Sequence, residues 1–214
     1  MKKIVLLGDS IRMGYDKYVK ESLSGVAEVY YPSENCRFAE YMLRYFHVWK
    51  ENDKWPDDVD LIHWNAGLWD VLELFDDGPL TSIEYYAEAI ARIYKRMRLF
   101  YPSAKIVFAT STPVLEDKYG EGAKRHNAII EKYNEAAVKA LSSTDALIND
   151  LYSLAKDFPE EYHSDCTHFA TDKGTEIIGG RVISIICREL GIKASEVNIE
   201  GFEPENYSQS NIGI

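Results

Sequence analysis

The stretch Lys3-Ile4-Val5-Leu6-Leu7-Gly8-Asp9-Ser10 decides how the rest of the chain is read. Residues 3–7 (KIVLL) are a continuous apolar run without polar alternation, the pattern of a strand buried on both faces. A strand of that kind belongs to a parallel sheet covered by helices on either side. The run stops at Gly8-Asp9-Ser10, and a helix is predicted over residues 15–23. A buried strand, a short polar turn and a helix make the opening of a βα unit.

Working outward, the same alternation recurs. Residues 26–31 (VAEVYY) read as a second strand closed by Pro32, and residues 59–64 (VDLIHW) as a third ending at Asn65-Ala66-Gly67. Residues 105–110 (KIVFAT) make a fourth, and residues 146–149 (ALIN) a weaker fifth. Between them, Phe38, Met42, Tyr45, Phe46 and Trp49 follow the spacing of one apolar helix face. Residues 82–101 repeat it through Ile83, Tyr86, Ile90, Ile93 and Met97, and Pro102 stops it. Helices are also predicted over residues 124–141 and 172–190, the last with Gly191 as its C′ residue. Its Gly179-Gly180 pair is expected to let that helix approach the sheet. The pattern predicts an α/β fold with a parallel sheet covered on both faces. With no linker or repeat, residues 1–192 read as one domain. Residues 193–214 are an aperiodic C-terminal tail, and the pattern leaves open whether it wraps the body or frays.

The chain of 214 residues carries 24 basic and 35 acidic side chains, a net charge of −11. An acidic surface repels phosphate backbones and anionic bilayers, so neither nucleic acid nor membrane is expected as a partner. Three cysteines (Cys36, Cys166, Cys187) without a C-x-x-C spacing give neither a disulfide framework nor a zinc ribbon. The first apolar run is too short for a signal-peptide core, and no stretch approaches a membrane span. A cytoplasmic protein with reduced thiols is the expectation.

In an open parallel sheet, ligands bind beyond the carboxyl ends of the strands. Ser10 stands there, between a buried strand and the positive end of a helix, where its own N–H faces an incoming oxyanion. A serine hydroxyl needs a base. His47 reads as packing, His63 as a buried strand residue with a structural role, and Lys124-Arg125-His126 as a solvated charged run; His163 lies in an uninformative loop. His168 differs, because Asp165 precedes it by three residues in Ser164-Asp165-Cys166-Thr167-His168-Phe169. A carboxylate at that spacing on a tight turn can accept the Nδ1 proton and leave Nε2 facing a nucleophile.

Gly8-Asp9-Ser10 near one end and Asp165-Cys166-Thr167-His168 near the other resemble the first and last blocks of the SGNH (GDSL-type) esterase and lipase superfamily. The resemblance extends over residues 4–190. It implies a three-layer α/β/α sandwich with a five-stranded parallel sheet, flavodoxin-like in outline. It also implies Ser10 as nucleophile, His168 as general base and acid, Asp165 as the orienting carboxylate and Asp9 as a support for the Ser10 turn. Gly-Asp-Ser-Ile-Arg-Met-Gly-Tyr (residues 8–15) and Asn-Ala-Gly-Leu-Trp-Asp (residues 65–70) are similar to a carbohydrate-esterase-like branch.

Two departures from the superfamily pattern bear on the oxyanion hole. The second block normally places a glycine N–H there; in Glu34-Asn35-Cys36-Arg37-Phe38 the glycine's place is taken by Cys36, whose backbone N–H is the expected donor. The third block is normally Gly-x-Asn-Asp, but Gly67-Leu68-Trp69-Asp70 has Trp69 in the asparagine's slot. Asn65, at the strand end two residues before Gly67, is therefore expected to supply the side-chain donor, so that the hole is formed by Ser10, Cys36 and Asn65. Arg12 is a candidate for binding a substrate anion, with a surface salt bridge as the alternative. Trp69 is a candidate sugar-stacking residue, as aromatic rings flank the site.

These residues predict a serine ester hydrolase that needs no metal and no cofactor. The expected substrate is a small-molecule ester, a short acyl group such as acetyl on a carbohydrate, as the resemblance to the carbohydrate-esterase-like branch implies and the absence of a long apolar lid allows. A lysophospholipase or thioesterase is the alternative within the superfamily. A non-catalytic flavodoxin-like module binding a phosphate or nucleotide is the alternative outside it, although no glycine-rich phosphate cradle is present.

Overall fold

A computed structural model describes residues 1–213. Strand β1 (Lys2–Leu7) leads into helix α1 (Ser10–Ser22), followed by β2 (Ala27–Tyr30), α2 (Ala39–Asn52) and β3 (Leu61–Trp64). A two-residue strand β4 (Glu73–Leu74) precedes α3 (Ile83–Phe100) and β5 (Lys105–Ala109). Another short strand, β6 (Ala123–Lys124), precedes α4 (Asn127–Leu141), β7 (Leu147–Asn149), α5 (Leu151–Ala155), α6 (Asp172–Leu190) and a terminal turn of helix, α7 (Gln209–Ile212).

The main sheet has five parallel strands in the order β2-β1-β3-β5-β7. As predicted, the chain is α/β with a parallel sheet flanked by helices. Right-handed crossovers dictate the layers. The chain moves outward from β1 to β2 through α1, then turns back across to β3 through α2. Hence α2, α3 and α4 pack side by side on one face, while α1 and α6 pair on the other. The reversal between β1 and β3 is the switch point of a doubly wound sheet, and it opens a crevice at their carboxyl ends. Gly8, Asp9 and Ser10 occupy that crevice.

The core explains why these strands form. Ile4, Val5, Leu6 and Leu7 are fully buried between the two helix layers, as are Leu61, Ile62, Val107 and Phe108. Burying a side chain of this size stabilises the fold by about 1.5–3 kcal/mol. Helix α1 starts at Ser10, five residues earlier than predicted, because Asp9 caps it: the Asp9 carboxylate accepts the Ile11 N–H at 3.0 Å. The Gly179-Gly180 pair acts between helices and not toward the sheet. A Cβ on Gly179 would lie 2.7 Å from the Tyr18 ring on α1, whereas Gly180 faces open space. Gly191 ends α6 in the left-handed conformation with φ 64°, as its position predicts.

Beyond α6 the chain runs back across α1. The Ser195 N–H donates to the Ser22 carbonyl at 2.8 Å, and Asp172 accepts the N–H groups of Gly201 and Phe202 at 2.8 and 3.2 Å. Asn35 then donates through Nδ2 to the Ile212 carbonyl at 2.8 Å. Residues 201–213 thus end at the same strand ends where Ser10 lies. No helix among the described residues is long and apolar enough to cross a membrane.

Candidate active site

Ser10 is the first residue of α1, and its Oγ lies 2.7 Å from His168 Nε2 although 158 positions separate the two in the chain. His168 Nδ1 lies 2.7 and 2.9 Å from the two oxygens of Asp165. A carboxylate only accepts, so Nδ1 carries the proton and Nε2 is left to accept from the Ser10 hydroxyl. Asp165 Oδ1 also accepts the N–H groups of Thr167 and His168, at 2.7 and 2.8 Å, which folds Asp165–His168 into a closed turn. Burial alone would push the Asp165 carboxyl up. The hydrogen bond and charge of His168 and the two backbone N–H groups outweigh it and hold the carboxyl down to about 2.

The opposite wall is formed by Asp9 and Asn65. Asn65 Nδ2 donates to Asp9 Oδ1 at 2.9 Å, which uses one of its two amide hydrogens. Its oxygen lies against the Gly8 backbone, where a Cβ would come within 1.9 Å of it. A residue other than glycine at position 8 would thus push Asn65 away from the nucleophile turn. Asp9 is fully buried, and burial raises its carboxyl while the bonds from Asn65 and the Ile11 N–H lower it less. The Ser10 N–H has no acceptor among the described residues and stands at the positive end of α1.

Three expectations are corrected. The Cys36 N–H is not available for an oxyanion, because it donates to the Gly8 carbonyl at 3.1 Å and ties the β2–α2 loop to the nucleophile turn. The left-handed residue of that loop is Arg37 (φ 52°), one position later, and its N–H donates to Asn35 Oδ1 at 2.8 Å. Arg12 neither faces a substrate nor makes a surface salt bridge. It is fully buried, paired with Asp16 one turn along α1, and donates to the carbonyls of Pro32 (3.0 Å) and Glu34 (2.7 Å). Its work is to hold the loop carrying Asn35 and Cys36 against α1. The third correction concerns Arg125 within Lys124-Arg125-His126; the Lys124 and His126 side chains are 39% and 44% exposed, as a solvated run requires, but Arg125 is not. Arg125 is 3% exposed, and its Nε donates to the Leu68 carbonyl at 2.6 Å while Nη1 reaches the Tyr119 hydroxyl and Thr167 Oγ1 at 3.3 and 3.5 Å. It joins the loop after β3 to the turn that carries His168.

Trp69 is half-buried beside the crevice, but Gly213 lies against its indole, where an added Cβ would come within 2.3 Å of the ring. His63 is fully buried; its Nε2 lies 3.1 Å from Asn149 Nδ2, and burial lowers its pKa to about 3, in line with the structural role assigned to it. Asp70 is buried too. Its carboxylate accepts the Ala39 N–H at 3.1 Å and so caps α2, and burial lifts it to about 7. Reasoning from sequence missed this cap, the Arg125 bridge, and the arrival of Tyr207, whose ring stands edge-on to His168 with centroids 5.9 Å apart.

No protein-family model matches the sequence, and no curated protein matches it. Solved structures do. A lipase/acylhydrolase from Enterococcus faecalis is similar with a TM-score of 0.68 and 18% identity, over 92% of this chain and all of that one. A carbohydrate esterase family 3 protein from Talaromyces cellulolyticus is similar with a TM-score of 0.65 and 18% identity, over 90% of this chain and all of that one. A GDSL-like lipase from Bacteroides thetaiotaomicron follows at 0.65 and 16%, over 87% and 88% of the two chains. The five-stranded parallel sheet and its flanking helices are those of the SGNH hydrolase fold.

Proposed function

We propose that the protein is a serine ester hydrolase that works through an acyl-enzyme. The observation that carries this reading is the continuous hydrogen-bonded series Ser10 Oγ, His168 Nε2, His168 Nδ1, Asp165 at 2.7 and 2.7–2.9 Å, placed at the switch point of the sheet. Ser10 Oγ attacks the ester carbonyl carbon as its proton passes to His168 Nε2, and the electron pair of the C=O bond moves onto oxygen. Asp165 stabilises the imidazolium without taking the proton. The oxyanion is held by the Ser10 N–H at the start of α1 and by the second amide hydrogen of Asn65. Each such donor supplies about 10²–10³ in rate. Collapse of the tetrahedral intermediate breaks the bond to the alkoxy oxygen, which leaves with the proton from His168. A water activated by the same histidine then releases the acid.

The substrate under this reading is a short acyl ester, acetyl by preference, on a carbohydrate. Its support is the nearly complete enclosure of the reacting pair, with Ser10 and His168 4% and 5% exposed. The likeness to a carbohydrate esterase and to an acetyl xylan esterase (TM-score 0.64, 17% identity, over 86% of this chain and 99% of that one) points the same way. Hydrolysis of p-nitrophenyl acetate tests it. Wild-type turnover that falls at least 10³-fold in both Ser10→Ala and His168→Ala is expected, and equal rates in wild type and Ser10→Ala would refute the assignment.

A further inference from the structure

Residues 201–213 do more than run past the catalytic crevice. The Tyr207 ring lies across Gly14 on α1, where a Cβ would sit 4.0 Å from its edge, and stands edge-on to His168. Together with Ser10, Gly14, Tyr15, His168 and Thr175 it walls a cavity of about 10 Å³. That is room for one water molecule, or for a methyl group at most. Tyr207 is the one member of this wall that does not come from α1, α6 or the turn before α6. It arrives instead on a segment anchored on both sides of it, by Asp172 on Gly201 and Phe202 and by Asn35 on the buried Ile212.

Resting on the hydrolase reading above, we propose that Tyr207 is a specificity-determining residue: its ring sets the size of the acyl group by closing the space beside Ser10 and His168, and limits the substrate to acetyl esters. The rest of the wall cannot yield in the same way. Tyr15 and Thr175 are buried in the packed α1–α6 pair, where Thr175 Oγ1 donates to the Gly14 carbonyl at 3.2 Å. The acyl end of a longer ester must displace a ring held at both ends of its segment. Each methylene too many in a closed apolar site is discriminated by roughly 10–200-fold.

The experiment compares kcat/KM on p-nitrophenyl acetate and p-nitrophenyl butyrate for wild type, Tyr207→Phe, Tyr207→Leu and Tyr207→Ala. Wild type is expected to prefer acetate at least 100-fold. Tyr207→Phe, which keeps the ring, retains that ratio; Tyr207→Leu narrows it, and Tyr207→Ala narrows it at least tenfold. The graded Leu variant carries the test if the Ala protein fails to fold. A wild type indifferent to chain length, or Tyr207 variants whose two activities fall in parallel, would overturn the inference. Stoichiometric labelling of Ser10 by a small fluorophosphonate in the same preparations separates the two claims. A labelled Ser10 with an unchanged ratio removes only the role of Tyr207. An unlabelled Ser10 in wild type removes the hydrolase reading and this inference with it.

Discussion

Replacing Asp165 by asparagine changes one atom of the site and reverses the logic of the histidine beside it. Asp165 Oδ1 accepts the Thr167 and His168 N–H groups and lies 2.9 Å from His168 Nδ1, while Oδ2, the nearer oxygen at 2.7 Å, accepts only from Nδ1. An asparagine keeps its carbonyl oxygen on the two backbone donors, so its NH2 group takes the place of Oδ2 and points at Nδ1. Two donors cannot face each other, and the imidazole moves its proton to Nε2. It then presents an N–H to the Ser10 hydroxyl in place of a lone pair, and general-base catalysis stops. In serine proteases the same inversion lowers kcat by about 10⁴. Here the retained Oδ1 still lies 2.9 Å from Nδ1 and the Asp165 side chain is 41% exposed, so that oxygen and water restore the productive tautomer part of the time. The expected loss is therefore about 10³ in kcat, or ~4 kcal/mol of barrier, with KM changed less than threefold. The assay is steady-state hydrolysis of p-nitrophenyl acetate alongside thermal unfolding, where the loss of the carboxylate is expected to lower the midpoint moderately while the turn, which keeps both backbone bonds, stays folded. A kcat within threefold of wild type would refute the role given to Asp165. A collapse of stability in place of activity would refute the geometric argument.

Further outcomes follow from neighbouring groups. Asn65→Ala removes both the Asp9 bond and the proposed oxyanion donor, and kcat on an aryl acetate is expected to fall by about two orders of magnitude or more with KM nearly unchanged; a near-wild-type kcat takes Asn65 out of the hole. Gly8→Ala forces a methyl to within 1.9 Å of Asn65 Oδ1 and 2.8 Å of Arg12 Cβ. It is expected to lower stability by about 1–3 kcal/mol in denaturant titration, and an unchanged midpoint would contradict the packing described. Asp70 has a folded pKa raised by burial to about 7, against about 3.9 in an unfolded chain. Its contribution is fully present below about pH 4 and is lost as pH rises through about 7. Asp70→Asn, measured by urea unfolding, is expected to remove that decline; an identical pH profile in the two proteins would show that Asp70 titrates normally. Asp165 has the opposite sign. Its folded pKa of about 2 means stability present above about pH 4 and lost only as pH falls through about 2, and Asp165→Asn is expected to flatten acid unfolding in that window.

What could be read in advance was local, or depended on two local patterns meeting. The run Lys3–Leu7 is apolar at every interior position because the strand has helices on both sides, so its burial is written in its composition. Gly8-Asp9-Ser10 and Asp165–His168 are each short turns whose hydrogen bonds close within three residues. The apolar periodicity starts at Tyr15, but the Asp9 cap starts α1 at Ser10 and so takes Arg12 and Gly14 into the helix. The distant groups that enclose them, the Pro32 and Glu34 carbonyls on Arg12 and the Tyr207 ring over the glycine, come from elsewhere in the fold. Arg125 was misread for the same reason: a charged triplet suggests solvent until the carbonyl of Leu68 and the hydroxyls of Tyr119 and Thr167 are placed around it. Cys36 occupies the place assigned to it in the loop, but the direction of its N–H depends on Gly8, 28 positions away, whose carbonyl receives it. Nothing in the periodicity of residues 193–213 indicates that Tyr207 reaches His168, because the segment is held by scattered contacts, such as the Asp172 bonds, Phe202 on Tyr18 and the buried Ile212, and not by a periodic apolar face.

The central claim is that Ser10 is a nucleophile activated by His168, and covalent labelling tests it without assuming a substrate. Wild type, His168→Ala and Ser10→Ala are incubated with a small fluorophosphonate and the adduct is located by mass spectrometry of proteolytic peptides. One adduct per chain is expected on the peptide containing Ser10 in wild type, and none in either variant over the same time. No adduct in wild type, or labelling of Ser10 at an equal rate without His168, would contradict it.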